Sequence, residues 1–380
     1  MQKIYVLIIG LLICNAAFLF AQETDHFRKE KKNERFDAGV PIFSPFIMPA
    51  YTPEMGFILN AGGLLSFKTK RNNPYLYHST FPFTLGINTK GNIFVGGLLS
   101  SYWHDNKIRF YLDARYRNLD DNYWGIGTDK AFDVEKGELT TEYHNQEYKI
   151  SPSLMYRIGD KFFIGLKADF NSTKATDISD LMLEDQHILE FGTDIFNSGL
   201  GGSIVYDSRD FPPKASEGML VKLECLFYSE AIASDFNYQI IEFDYRQYLS
   251  IIRDGSGLAW HLKTRLGFQD VPWIDMSKLG SINDLRGYYW GQFRDNSMVF
   301  ALIEYRHSFF DGSKMKFSKH GLVFWIGGGT VFSTPKNINT GIFNIGAGYR
   351  YELQPDMNLR VDVGFGFESI GVYLSFNEAF

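Results

Sequence analysis

Residues 341–367 read GIFNIGAGYRYELQPDMNLRVDVGFGF, two successive runs of alternating character. Phe343, Ile345, Ala347, Tyr349, Tyr351 and Leu353 alternate with Asn344, Gly346, Gly348, Arg350 and Glu352. Further on, Leu359, Val361, Val363, Phe365 and Phe367 alternate with Asn358, Arg360, Asp362, Gly364 and Gly366. A period of two places the two sets on opposite faces of a strand, so each run reads as a strand with one apolar and one polar face.

The pattern recurs upstream. Ile108, Phe110, Leu112, Ala114 and Tyr116 alternate with Arg109, Tyr111, Asp113, Arg115 and Arg117, and Phe162, Ile164, Leu166, Ala168 and Phe170 with Lys167, Asp169 and Asn171. A soluble β-sandwich alternates too. Three features favour strands that cross a membrane: a secretory leader, charges gathered on the polar face, and runs of about ten residues where soluble strands average about five or six. Composition agrees, with 17% aromatic residues, 36 Gly, 22 Tyr and 35 Phe at a mean hydropathy of only -0.17. Half the strand residues would face lipid and half water.

The leader is Met1-Gln2-Lys3, an apolar stretch from Ile4 to Phe20 broken by Gly10 and Asn15, and Ala21-Gln22. It reads as a signal peptide over 1–21, with the mature chain starting near Gln22. A lipoprotein reading would acylate Cys14, but Ile13 stands where a small residue is wanted and the apolar run continues past it. Cleavage removes Cys14, leaving Cys225 without a disulfide partner. Beyond the leader no apolar run reaches the roughly 20 residues of a transmembrane helix. A net charge of -6 with interspersed signs excludes a nucleic-acid partner.

Sixteen strands are expected, at about 40–50, 56–68, 78–88, 91–103, 107–118, 143–158, 160–171, 198–208, 218–229, 237–250, 256–268, 297–309, 320–331, 341–352, 357–367 and 370–380. An even number suits a barrel with both ends on the periplasmic side. The long connections 119–142, 172–197 and 269–296 then share the outer end, and short links such as Ile158-Gly159-Asp160 share the other. Residues 22–39 form a short polar periplasmic tail, too short for a domain of about 50 residues or more, so 40–380 is a single all-β transmembrane antiparallel barrel.

With these residues in view, the chain resembles the BamA/TamA superfamily of outer-membrane barrels, the surface-antigen type. The likeness is carried by Pro49-Ala50-Tyr51-Thr52-Pro53-Glu54-Met55-Gly56, Trp124-Gly125-Ile126-Gly127, and Tyr206-Asp207-Ser208-Arg209-Asp210 followed by Pro212-Pro213 and Gly218. Leu285-Arg286-Gly287-Tyr288, Glu304-Tyr305-Arg306 and a last strand ending in Phe380 complete it. The resemblance implies that the loop 269–296 folds into the lumen and that its tip, Leu285 to Tyr288, docks on acidic wall residues. Parity points Glu304 and Arg306 inward, which makes Glu304 a partner for Arg286. The family's second acidic partner falls at Gly327 here, leaving Glu304 as the main expected anchor.

Other readings compete at several positions. Arg286-Gly287 could be a solvated turn. Asp207, Arg209 and Asp210 look like a structural signature read as an exposed turn network rather than an acid/base set. His261, flanked by Lys263 and Arg265, makes a poor metal site; no catalytic constellation and no cofactor motif stands out, so an enzyme is not expected. Pro41, Pro45 and Pro49 share one parity, so their missing N–H donors lie on one edge of the first strand, and that edge is expected to form a weakly bonded seam with the last strand. Ser369, Gly371, Leu374, Phe376 and Phe380 resemble the sorting signal of barrel proteins.

Three functions follow. The first is assembly or translocation of outer-membrane proteins by strand addition at the seam; relatives carry periplasmic POTRA domains, for which this chain has no room, so a separate partner would supply that module. The second is a scaffold barrel in a larger complex, and the third a passive pore, which the inward Arg109, Arg115, Lys222, Glu224, Glu242, Arg246, Arg265, Arg350 and Arg360 would obstruct. Outer-membrane lipids are the expected surroundings, and the sequence leaves open protein partners and a homo-oligomer.

Overall fold

The computed structural model describes residues 34–380 apart from 53–55, 253–254, 312–315, 339, 355–356 and 368. The expected signal peptide, the mature start at Gln22 and the first hairpin's tip lie outside the described residues. Sixteen strands form one antiparallel sheet in chain order. They begin with β1 (Ile42–Thr52), β2 (Gly56–Phe67), β3 (Ser79–Asn88), β4 (Ile93–Trp103), β5 (Ile108–Asn122), β6 (Glu142–Arg157), β7 (Phe162–Thr176) and β8 (Asp194–Asp207). They continue with β9 (Gly218–Tyr228), β10 (Tyr238–Ile252), β11 (Ser256–Phe268), β14 (Ser297–Asp311), β15 (Lys316–Phe332), β16 (Ile342–Gln354), β17 (Met357–Phe365) and β18 (Ile370–Phe376). A separate pair, β12 (Ser277–Leu279) and β13 (Phe293–Asp295), lies within the long loop between β11 and β14.

The sheet is inside-out relative to a soluble protein. Phe343 is 73% exposed while its neighbour Asn344 is 2% exposed, and Ile303 is 51% exposed beside a fully buried Glu304. An exposed apolar wall around a polar interior is stable only where lipid, not water, meets the wall. This is a sixteen-stranded transmembrane antiparallel barrel. Its strands exceed the expected boundaries at the loop-rich end, where β5 runs to Asn122 and β7 to Thr176. There the outward face itself turns polar: Asn118, Asp120 and His144 follow the parity of Tyr116 and Tyr148, and their side chains bond across the strands.

The last strand departs from expectation. It ends at Phe376, not Phe380: Asn377 adopts a positive φ of 59° and the chain turns inward. The tail before β1 also differs from a solvated polar segment. Residues 34–37 form one helical turn whose Phe36 is buried with Ile42, Leu64 and Met357 and stacks on His78 at 3.8 Å.

β1 and β18 stand side by side, the rings of Phe46 and Phe376 5.1 Å apart. β1 pairs with β2 without interruption from Ile42↔Ser66 to Thr52↔Gly56, with Pro45 opposite Gly63 and Pro49 opposite Leu59. The unbroken register is what the expected direction of the missing Pro45 and Pro49 donors, away from β2, requires; Pro41 precedes the strand. Side chains bridge this region. Gln354 Nε2 donates to Ser44 Oγ (2.8 Å) and to the Leu64 carbonyl (3.1 Å), and Ser66 Oγ donates to Gln354 Oε1 (2.5 Å). Replacing Gln354 with alanine leaves buried polar groups unpaired and is expected to cost about 1–3 kcal/mol, measured as a lower urea midpoint of the folded barrel in detergent.

Candidate functional site

The long loop enters the lumen and spans it, fixed at both ends. Its root is held by Asp275, whose carboxylate accepts from Asn171 Nδ2 (2.9 Å), Asn197 Nδ2 (2.6 Å) and the Tyr238 hydroxyl (2.6 Å), on β7, β8 and β10. Trp273 beside it donates from Nε1 to the Gly192 carbonyl at 2.9 Å and packs against Tyr123 and Tyr143. Sequence reading missed this anchor. An aspartate in a loop carries no periodic signal, and its donors come from three separate strands.

The tip crosses to the opposite wall. Arg286 is fully buried; Nη2 donates to Glu304 Oε1 at 2.5 Å and Nη1 to Asp362 Oδ2 at 2.6 Å. Its guanidinium lies 3.5 Å from the centroid of the Trp325 ring. The face of the indole offers cation–π attraction where no water competes. Asn344 Nδ2 donates to the Arg286 carbonyl (2.8 Å), the Gly287 N–H to the Tyr373 hydroxyl (3.0 Å), and the Tyr288 hydroxyl to the Phe343 carbonyl (2.8 Å). Ser369 Oγ donates to the Gly287 carbonyl. Gly287 has φ +118°, and a Cβ there would lie 2.4 Å from the Gly366 nitrogen, so only glycine fits. Leu285 and Tyr288 are buried with Trp124, Phe293 and Phe300. Trp124-Gly125-Ile126-Gly127 thus packs on the loop: Trp124 stacks on Tyr289 at 5.2 Å, and the Gly127 N–H donates to the Arg294 carbonyl at 2.8 Å.

The reading of Glu304 as the main anchor is corrected here. Position 327 lacks a carboxylate, and a Cβ at Gly327 would meet Leu302 Cδ2 at 2.0 Å, but Asp362 on β17 supplies a second acidic partner from two strands further on. Alternation already pointed Asp362 inward; nothing in the sequence said that the arginine 76 residues away would reach it. Arg306 does not touch the tip. Its Nε and Nη2 hold the other oxygen of Glu304 at 3.1 and 2.9 Å. Arg350 Nη1 likewise takes the second oxygen of Asp362 at 2.6 Å, so Glu304 is shared by two guanidinium groups and Asp362 by three, Arg360 Nε lying 3.7 Å from its Oδ2.

Asp207 and Arg209 form a buried network rather than an exposed one. Asp207 accepts from Arg109 and from Arg209 Nε (2.9 Å), with Arg109 over the Phe163 ring at 3.9 Å. Asp207 ends β8, Arg209 reaches back to it from the turn two residues on, and Arg109 meets it from β5, so the buried carboxylate is paired from both sides. Asp210 is exposed and accepts from the Ser216 backbone at 3.0 Å, closing the turn before β9. Of the sorting-signal residues, Ser369 bonds the loop tip, Gly371 and Leu374 sit on β18, Phe376 meets Phe46, and Phe380 lies in the lumen beside His261 and Tyr248.

Lys278, on β12, donates to the Ile274 carbonyl at 3.0 Å. Burial, then Arg294, push its ammonium down from 10.5 to about 7, against the pull of Glu147, Asp121 and Asp275. Below about 7 both folded and unfolded chains hold the proton and the penalty is complete; between about 7 and 10.5 only the unfolded chain holds it, so stability rises with pH across that window. The unfolding midpoint is therefore expected to climb from pH 7 to pH 10, and Lys278→Met to flatten that climb.

The comparisons come to the same fold. The Omp85 superfamily domain matches residues 79–370. Among solved structures, the chain is similar to BamA from Haemophilus ducreyi lacking POTRA domains 1–3, at 12% identity and a TM-score of 0.54, covering 90% of this chain and 70% of that one. It is also similar to CdiB from Acinetobacter baumannii, at 10% identity and a TM-score of 0.53, covering 89% of this chain and 59% of that one. No curated protein matches. With the domain match spanning most of the chain and an inside-out barrel around an inserted loop, the protein belongs to the Omp85 superfamily and resides in the bacterial outer membrane.

Proposed function

We propose that this chain assists the assembly or translocation of outer-membrane proteins, with strand addition at the β1–β18 seam as its working step. The observation that carries the reading is the β1 edge: Pro45 and Pro49 withhold donors there while the β2 side is fully paired. An edge short of donors closes weakly, and a strand end that can be reopened is a template for an incoming strand. Family membership supports the same role. The inserted loop and the charged lumen favour this over a passive pore, because Arg286, Arg306 and Arg350 with their carboxylates fill the wall between β14 and β18. No catalytic chemistry is part of this reading, and a separate periplasmic protein would bring clients to the seam.

Depletion of the protein followed by quantitation of other outer-membrane barrels tests the role; unchanged levels would favour a scaffold. Bilayer conductance tests the pore reading, which predicts large stable openings that this reading does not.

A further inference from the structure

The residues after β18 do something other than continue it. From Asn377, whose N–H donates to the Asn358 carbonyl at 2.7 Å, the chain crosses the lumen floor. Glu378 accepts from Arg350 Nε and from Asn358 Nδ2, both at 2.7 Å. Phe380 is 7% exposed, its ring 5.0 Å from His261 and 5.1 Å from the Arg306 guanidinium, and Arg306 Nη2 donates to its backbone oxygen at 3.1 Å. Arg306 and Arg350 are the two arginines that hold the outer oxygens of Glu304 and Asp362. Loop tip and tail therefore grip two linked ion pairs from opposite sides, the tip through the carboxylates of Glu304 and Asp362 and the tail through their partners Arg306 and Arg350, in one set of four guanidinium groups, Arg360 included, and three carboxylates.

We propose that Asn377–Phe380 is a lumenal latch: docking of the loop tip and seating of this tail are one coupled event, and together they keep the lower end of the last strand turned away from β1. With Phe376 beside Phe46, a strand that continued would lay 377–380 along β1 from about Pro45 down to Ile42. Gln354 now bonds Ser44 in that place. Tyr373 ties the two halves, accepting from the Gly287 N–H and donating to the Tyr288 carbonyl at 3.2 Å. A disturbance of the loop tip is thus transmitted to the seam strand through named bonds. The latch goes beyond the assembly reading and stands without it.

The test uses the full chain with Cys225→Ser and a reporter thiol at Ala379→Cys, folded in detergent and treated with a bulky polar maleimide. The reporter should react slowly, and Arg286→Ala should speed it by about tenfold or more. Linkage demands the reverse as well: Phe380→Ala should speed, by a similar factor, labelling of a thiol at Ser281→Cys in the loop. Where Arg286→Ala yields no folded barrel, Glu378→Gln reads the same coupling from the tail. Fast labelling of the parent reporter, or rates that neither loop nor tail substitutions change, would overturn the latch.

Discussion

Replacing Arg286 with alanine is expected to destabilise the barrel by about 3–5 kcal/mol, the usual cost of breaking a buried ion pair from one side. The substitution leaves Glu304 and Asp362, both fully buried, facing an empty position with their charges intact. It also removes the cation over Trp325. Arg306 and Arg350 still bind one oxygen of each carboxylate, which keeps the loss within that range. The measurement is the urea midpoint of the folded barrel in detergent, with heat-modifiable migration on gels as the check of folding. An Arg286→Met variant, which fills the space without the charge, separates the two causes: a loss as large as that of Arg286→Ala assigns the effect to the unpaired carboxylates, and a recovery assigns it to packing. A wild-type midpoint for Arg286→Ala would return the loop to the reading of a solvated turn.

Gly287→Ala is expected to be nearly as damaging, for a different reason. At φ +118° an L side chain is strained, a cost of about 1–3 kcal/mol for a sparsely populated backbone conformation. The added Cβ would also stand 2.4 Å from the Gly366 nitrogen and 2.7 Å from the Phe365 carbonyl carbon, backbone that cannot swing aside. The tip must then lift, which loosens the Tyr373 and Ser369 bonds on either side of the glycine. Because the arginine is carried with the tip, Gly287→Ala and Arg286→Ala should fall short of additivity when combined. Full additivity in the double variant would mean that the glycine and the arginine serve separate structures.

The fold was legible because alternation is a local property. Ile303 out and Glu304 in, Phe343 out and Asn344 in, follow from adjacent residues, and sixteen such runs in succession leave little besides a barrel. The tip motif was legible too, since Arg-Gly-aromatic stands on consecutive residues. Partner choice was not. Asp362 was read as lumenal but not as the second ligand of Arg286, because which inward carboxylate meets a loop depends on how far the loop crosses the barrel. Asp275 was missed for the same reason: its three donors, Asn171, Asn197 and Tyr238, meet only where β7, β8 and β10 curve around it.

The end of the chain marks the boundary between the two kinds of information. The sequence by itself determined a lipid-facing wall, a polar lumen, the strand order and the inward parity of the charges within the strands, since each depends on the twofold repeat of an extended backbone. It could not tell that β18 stops at Phe376, because the residues beyond read equally well as more strand. Only the curvature of the sheet around the lumen brings Arg350 and Arg306 within reach of Glu378 and Phe380. Two buried guanidinium groups that need acceptors, and an aromatic ring with a lumenal pocket to fill, outweigh the few ladder bonds a proline-bearing edge could return.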